Sequence, residues 1–381
     1  MKVAIDARYV REPLSGIGRH TLTLLKGIGE VNPDFRIKVL VSPDTPVPPE
    51  VQNCACFRFA VVRSDPHDLH DQLALPGVIR RLGVRLLHSP DAFAPLLAPS
   101  LKVVTLHDLI SLTCRKMLTR SKKSRWAPAW KAWLSLQCRC ADAVVTASRH
   151  SAKDIASHLG VPRQKLAVIP IGVEAPPVTH ESPQGMHEPF LLYVGRRDPY
   201  KNIVSLIRAF RIVSERWDGP IRLVLVGHRD PRYPEPEQEV RRLGLTRRVT
   251  FTGHVDDTEL ATLYETASVF VFPSLYEGWG LPPLEAMRYG TPVVSSDRTS
   301  LPEVVGEAAV LVDPTDSAAL AEGVLRVLSD PSLAQRLASA GLRRVAQFTL
   351  RREAEQTLQL YETLLSRGRR APARPGAVGR S

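Results

Sequence analysis

Short runs of valine, leucine and isoleucine recur along this chain, separated by helix-like stretches, and this rhythm restricts the possible folds more than any other feature. In the first half the runs are Val3–Ile5, Val84–Leu87, Val103–Leu106, Ala143–Thr146 and Ala167–Ile169. In the second half they are Phe190–Val194, Arg222–Val226, Val249–Phe251, Val269–Phe272 and Val293–Val294. Strands that are apolar on both faces belong to parallel sheets covered by helices. Many of the runs end at a small or polar residue: Ser89, His107, Ser148, Gly172, Gly195, Gly227, Gly253, Ser274 or Ser295. Ligands of open parallel sheets bind beyond the carboxyl ends of the strands, so these positions point to the chemistry. A length of 381 residues suits two domains. The proline-rich stretch EAPPVTHESPQGMHEP, 174–189, reads as the linker between them. The expected fold class is α/β, with two Rossmann-like domains facing across a cleft.

The segment FVFPSLYEGWGLPPLEAMRYGTPVVSSDRTSLPEVVGEAAVLVDP, 270–314, holds the densest signal. Its opening run breaks at Pro273-Ser274 into a loop with Glu277, Gly278 and Gly280. Pro282-Pro283 then start a helical segment carrying Glu285. Proline is tolerated in the first helical turn. Amide hydrogens at a helix start attract phosphate, and glycine lets a ligand come close. Two glutamates beside a phosphate would repel it, so they need another task. Carboxylates accept hydrogen bonds from paired hydroxyls, such as those on a hexose and a ribose. Amides for a diphosphate and carboxylates for two sugars is the division of labour this spacing suggests.

The segment resembles the glutamate-x7-glutamate signature of retaining, family-four glycosyltransferases of the GT-B fold. It is especially similar to bacterial mannosyl- and rhamnosyltransferases of surface polysaccharide or glycolipid synthesis. SGIGRH at 15–20, LHDL at 106–109, SRHSAKDI at 148–155, VIPIGV at 168–173 and YVGRRDPYKNI at 193–203 resemble further family motifs, in the family's order. The resemblance implies an acceptor-side domain over 1–173 and a nucleotide-sugar-binding domain over 190–345. A helix over 346–365 would return to the first domain, ahead of a disordered basic tail over 366–381.

The same resemblance assigns roles. Arg196 and Lys201, after the strand FLLYV, match residues that contact the donor diphosphate, as a planar fork and a point charge. Arg197 has no such match. Gly16 and Gly18 resemble the first-domain loop facing the diphosphate. His107 matches a histidine beside the transferred sugar, with Asp108 orienting it or the loop. Glu277 would hold the hexose and Glu285 the ribose, with Gly278, Trp279, Gly280 and Leu281 completing the donor loop. Val255 lies where relatives bind the base through backbone atoms, so the base itself has no side-chain signature. Trp279 replaces the family's frequent phenylalanine, and Tyr200 stands where many relatives have arginine. GDP-mannose is the favoured donor by resemblance, with dTDP- and UDP-sugars open. No metal or other cofactor is expected. GIGRHT lacks the third glycine of a dinucleotide fingerprint, which argues against an NAD-dependent oxidoreductase. A sugar-nucleotide epimerase and a non-catalytic scaffold are the alternatives from other classes.

Charge adds a partner question. The net charge is +12, and the last fifteen residues contribute five arginines without an acid. A second basic cluster, Arg115, Lys116, Arg120, Lys122, Lys123, Arg125 and Lys131, interleaves with Trp126, Trp130 and Trp133. Over 115–133 this suits an anionic membrane surface. The alternative is an amphipathic helix packing its indoles inward. Nucleic acid is not expected, because no binding motif accompanies the charge. The acceptor would be a glycan or a lipid-linked sugar. No apolar run approaches the ~20 residues of a bilayer span, and the start lacks a signal-peptide pattern. The expectation is a cytoplasmic protein, at most peripheral on the inner face of the cell membrane. Five cysteines, Cys54, Cys56, Cys114, Cys138 and Cys140, show no zinc spacing and are expected as reduced thiols.

Overall fold

The computed structural model describes residues 2–12, 15–31, 36–120, 126–174 and 188–370. Two all-parallel sheets with helical connections form two Rossmann-like halves. The first sheet has seven strands in the order β3-β2-β1-β4-β5-β6-β7. These are β1 Val3–Asp6, β2 Ile37–Val41, β3 Phe57–Val61, β4 Leu86–Ser89, β5 Leu101–Thr105, β6 Ala143–Thr146 and β7 Leu166–Val168. The second has six, in the order β10-β9-β8-β11-β12-β13. They are β8 Phe190–Val194, β9 Arg222–Val226, β10 Val249–Gly253, β11 Val269–Phe272, β12 Val293–Ser296 and β13 Ala309–Val312. The strand order reverses between β1 and β4 in the first sheet and between β8 and β11 in the second. Such reversals open a crevice at the carboxyl edge of a parallel sheet.

Central strands carried the sequence signal because both of their faces are buried. The edge strand β3 is half exposed and carries Arg58 inside its run, so no continuous apolar stretch marks it; the edge strand β13, a short apolar run, was not singled out. β2 was also not singled out. The fourth strand begins at Leu86 rather than Val84 for a local reason. Gly83 is left-handed (φ 61°), its N–H bonds Arg80 O, and the N–H of Val84 bonds Ile79 O. That pair of bonds closes the helix Asp71–Arg81 and uses Val84 as its cap.

The helix Leu350–Arg370 packs along Gly16–Val31 of the first half, so the chain crosses back after its second sheet. It continues through 366–370, which the sequence had given to the tail; residues 371–381 and 175–187 of the linker lie outside the described residues. The crossing is tight. A Cβ on Gly172 would sit 2.7 Å from Leu350 N, and one on Gly27 would meet the Leu350 carbonyl.

One expectation is corrected, and one of two alternatives is favoured. Cys54 and Cys56 are joined as a disulfide, whereas Cys114, Cys138 and Cys140 are free. The chain between the helix Pro49–Gln52 and β3 turns so that both sulfurs face each other. In the helix Ala127–Cys140 the indoles do not form an outward face. Trp130 donates to Ser111 Oγ (2.9 Å) and Trp133 to the Ala92 carbonyl (3.1 Å), both against Phe93. Only Trp126, 70% exposed, faces outward. Residues 121–125 of the basic cluster lie outside the described residues. Among the described residues no helix is long and apolar enough to cross a membrane.

Candidate active site at the switch point of the second sheet

The two loops that the sequence singled out leave β8 and β11, the strands flanking the reversal in the second sheet. After β8 the chain makes a short helical turn, Pro199–Lys201, ended by Asn202 in the left-handed region (φ 61°). The Asn202 amide donates to the carbonyls of Pro273 (3.2 Å) and Pro314 (2.6 Å), and Leu275 N–H donates to Tyr200 O (2.8 Å). These bonds stitch the Lys201 turn to the loop after β11. Lys201 Nζ consequently lies 2.6 Å from Glu277 Oε1, with both side chains close to buried.

The Glu277 loop is held from beneath by residues after β12. Glu277 N–H donates to Thr299 Oγ1 (3.0 Å). The Ser300 hydroxyl, which can donate to one of them at a time, lies 2.9 Å from Glu277 O and 2.7 Å from Trp279 O. Thr299 has φ 56°, a strained conformation for a β-branched residue. Strain of this kind costs about 1–3 kcal/mol and gathers where geometry serves a site. Gly280, at φ 116°, makes the sharp entry to the helix Leu281–Arg288, and a Cβ there would lie 2.7 Å from Leu301 Cδ2. Pro282 and Pro283 suit the first turn but bring no N–H. Of the first three helical residues only Leu281 has an amide hydrogen, so side-chain cations must carry more of any phosphate's charge.

The first half closes over this loop. Ser148, which caps the helix Arg149–Leu159, donates its hydroxyl to Gly278 O at 2.8 Å, and Ser151 Oγ lies 3.0 Å from the same oxygen. Gly278 lies so close to the first half that an added Cβ would meet the His107 carbonyl and Asp108 Cβ. His107 follows β5, and its Nε2 lies 3.2 Å from the Pro90 carbonyl. A carbonyl only accepts, so that nitrogen carries the proton and Nδ1 is left as an acceptor. Burial, and then the neighbouring His20, hold His107 down at about 4. His88, wholly buried between Thr105 and Tyr361, is held near 3, chiefly by burial.

Both imidazoles titrate near 6.5 when unfolded. Below that pH the unfolded chain takes up protons that the folded chain refuses, so stability falls as pH drops from about 6.5 toward about 4. The urea midpoint is therefore expected to be lower at pH ~5 than at pH ~7. An unchanged midpoint would contradict the buried, neutral assignment.

Glu285 opens on a second feature, a cavity of about 430 Å³ between the halves. Arg19, Thr23 and Lys26 line it from the first half, and Asp257, Tyr264 and Glu285 from the second. Volumes in this range hold small organic ligands. Tyr264 donates to Glu285 Oε2 (2.8 Å) and Arg19 reaches Asp257 at 3.5 Å. Burial pushes the Glu285 carboxyl upward, against the Tyr264 bond and the Arg19 charge.

The remaining predicted residues fall unevenly. Arg196 is exposed, with Nε 2.7 Å from Asp198 Oδ2 and no contact with Glu277. Arg197 is buried over Phe251 and paired with Glu237, a structural role. Gly16 starts its helix in open space, whereas the Gly18 N–H is already taken by Ser15 Oγ (3.1 Å). Val255 is buried, and Trp279 packs its ring edge-on against Phe348 (5.2 Å), leaving only its backbone to the loop. Sequence reasoning missed Arg19, Asp257, Tyr264 and the supporting Thr299 and Ser300, none of which had a local signal of its own. Ser148 it marked only as a residue that ends a strand run, not as a bond to the donor loop.

Two all-parallel Rossmann-like halves, meeting over a charged loop at a sheet switch point, define the GT-B fold. Comparison with known proteins identifies the family. "Glycosyltransferase Family 4" matches residues 14–175 and "Glycosyl transferases group 1" matches 179–344. The chain belongs to the family-four glycosyltransferases. It is 28% identical to the O-antigen chain mannosyltransferase B of Escherichia coli, over 96% of this chain and all of that protein. It is 34% identical to the MMP alpha-(1->4)-mannosyltransferase of Mycolicibacterium hassiacum, over 62% of this chain and 59% of that protein. In fold it is similar to the sucrose-phosphate synthase of Thermosynechococcus elongatus (TM-score 0.75, 24% identity, 96% of this chain and 99% of that one). It is also similar to HepE of Anabaena in complex with UDP-glucose (TM-score 0.71, 21% identity, 96% of this chain and 100% of that one).

Proposed function

We propose that the protein transfers a hexose, mannose favoured, from a nucleotide diphosphate sugar to a hydroxyl of a glycan or lipid-linked acceptor, with retention of configuration and without a metal. The observation that carries this reading is the Lys201–Glu277 pair at the switch point, under the His107 backbone. A cation beside a carboxylate, at the seam of the two halves, supports a departing diphosphate held next to sugar hydroxyls. The mannosyltransferase names of the relatives support the sugar.

In this reading the bond from the anomeric carbon to the diphosphate breaks, and the acceptor oxygen joins that carbon on the same face. The acceptor's proton passes to the departing phosphate. Lys201, Arg196 and the Gly280 and Leu281 amides stabilise the growing negative charge; one such donor is worth roughly 10²–10³ in rate. Glu277 holds hexose hydroxyls, Glu285 the ribose, and neutral His107 offers Nδ1 to a hydroxyl of the sugar. Closure of the halves keeps water from the donor. Any contact with an anionic membrane surface would fall to exposed Trp126, Arg115, Lys116 and Lys131. The two mannosyltransferases named above favour neither the epimerase nor the scaffold alternative.

The test is a thermal-shift panel of GDP-mannose, UDP-glucose and a dTDP-sugar, confirmed by nucleotide release. One donor is expected to raise the melting temperature and to be consumed. Glu285→Ala should abolish most of that shift while the protein stays folded. No response to any nucleotide-sugar, or an undiminished response in Glu285→Ala, would overturn the assignment.

A further inference from the structure

We propose that Glu353, on the helix that crosses back to the first half, is a positioning residue for the transfer reaction, acting on His107 through His20. The proposal rests on the functional reading above and deepens it. Glu353 lies in the first turn of Leu350–Arg370, where a carboxylate is favoured by the helix dipole. It is 3% exposed, so its charge needs partners. It has two: Oε1 lies 2.7 Å from His20 Nε2, and Oε2 accepts the Gly172 N–H at 2.8 Å.

Among the described residues the His20 ring has no other polar anchor. Its Nδ1 is buried and makes no hydrogen bond among the described residues, so the Glu353 contact alone fixes the ring by hydrogen bonding. The His20 ring meets the His107 ring edge to face, with centroids 4.9 Å apart and planes at 88°. Such a pair is orientation-dependent. A turn of one imidazole must displace the other, and with it the Nδ1 acceptor of His107.

The crossing segment cannot easily slip. Leu350 is wedged against Gly27 and Gly172, which have no side chain to yield. Phe348 O accepts the Val173 N–H (2.9 Å), and the Phe348 ring abuts Trp279 of the donor loop. Residues 348–353 thus grip the donor loop at one end and the imidazole pair at the other. The same helix makes a second buried polar contact two turns on, Tyr361 Oη to His88 Nδ1.

The experiment uses the full chain with ring-¹⁵N histidine, comparing the wild type with Glu353→Gln, His20→Asn, their double variant and Tyr361→Phe. Glutamine keeps an acceptor for Gly172 and removes only the carboxylate. Glu353→Gln is expected to move the ring signals of both His20 and His107, and Tyr361→Phe those of His88. Nucleotide release from GDP-mannose should fall about tenfold or more in kcat in Glu353→Gln, because misorientation at the reacting centre is costly. The donor KM should stay within about threefold, as the diphosphate and ribose contacts that carry most of donor binding are kept. The double variant should be no slower than the slower single variant, as for residues acting as one unit. Tyr361→Phe should lower the urea midpoint and leave kcat unchanged. A His107 signal indifferent to Glu353→Gln, or losses that simply multiply in the double variant, would overturn the proposal. If the wild type consumes no GDP-mannose, the donor reading fails, and the substrate-free histidine spectra still decide this one.

Discussion

Gly278→Ala is expected to cut nucleotide release about a hundredfold, the loss that a misplacement of roughly 1 Å can cause, while both halves stay folded. Gly278 has ordinary backbone angles, so the effect is one of space. An added Cβ would sit 2.8 Å from Asp108 Cβ and nearer still to the His107 carbonyl, both on the opposite half. These are a backbone and a short, anchored side chain, so no long side chain can swing away. The Gly278 carbonyl also lies within reach of the Ser148 and Ser151 hydroxyls, which holds the loop against the first half. Alanine must therefore push the halves apart or drag the Glu277 loop from its seat. Either change separates Lys201 and Glu277 from His107. Steady-state kinetics with thermal melting checks this. A normal rate would show that the closed contact is not needed for turnover, and a collapsed melting temperature would show that Gly278 is needed for folding instead.

The second large effect is expected for Lys201→Ala, which should lose both stability and rate. Glu277 would be left nearly buried without its counter-ion; breaking a buried pair from one side costs about 3–5 kcal/mol. Release should also fall about 10²–10³-fold if Lys201 meets the diphosphate. The prolines at the helix start sharpen this expectation, since they remove amide hydrogens that could have shared the charge. A double variant, Lys201→Ala with Glu277→Gln, isolates the stability loss. It should regain most of the urea midpoint, because no unpaired carboxylate remains, and none of the rate, since Glu277 also holds the hexose. Restored activity would overturn the roles given to both residues.

Much of the candidate site's backbone was legible in the chain because its parts are local. A strand end, a glycine with positive φ and a proline at a helix start each depend on a few neighbours, so the loop from Pro273 to Glu285 could be read directly. The basic, tryptophan-bearing segment was less decisive. Spacing placed the three indoles on a helix, but only packing against Phe93 decided that Trp130 and Trp133 face inward. Trp279 was assigned to the donor, yet its ring is committed to Phe348. The cysteine pair at 54 and 56 shows the same limit, since a turn brought together sulfurs whose spacing suggested nothing.

The sequence alone determined two parallel-sheet halves, the loops at their strand ends and the residue types able to hold a diphosphate and sugar hydroxyls. Hydrophobic periodicity and backbone preference act over a few residues, and both are written in order along the chain. Only the tertiary structure decided that Lys201 meets Glu277 across 76 positions and that His20 meets Glu353 across 333. It also decided that Gly278 lies under His107. Those meetings follow from how two sheets and a returning helix pack. Close packing selects distant partners by shape and charge together, so no local run of residues encodes them.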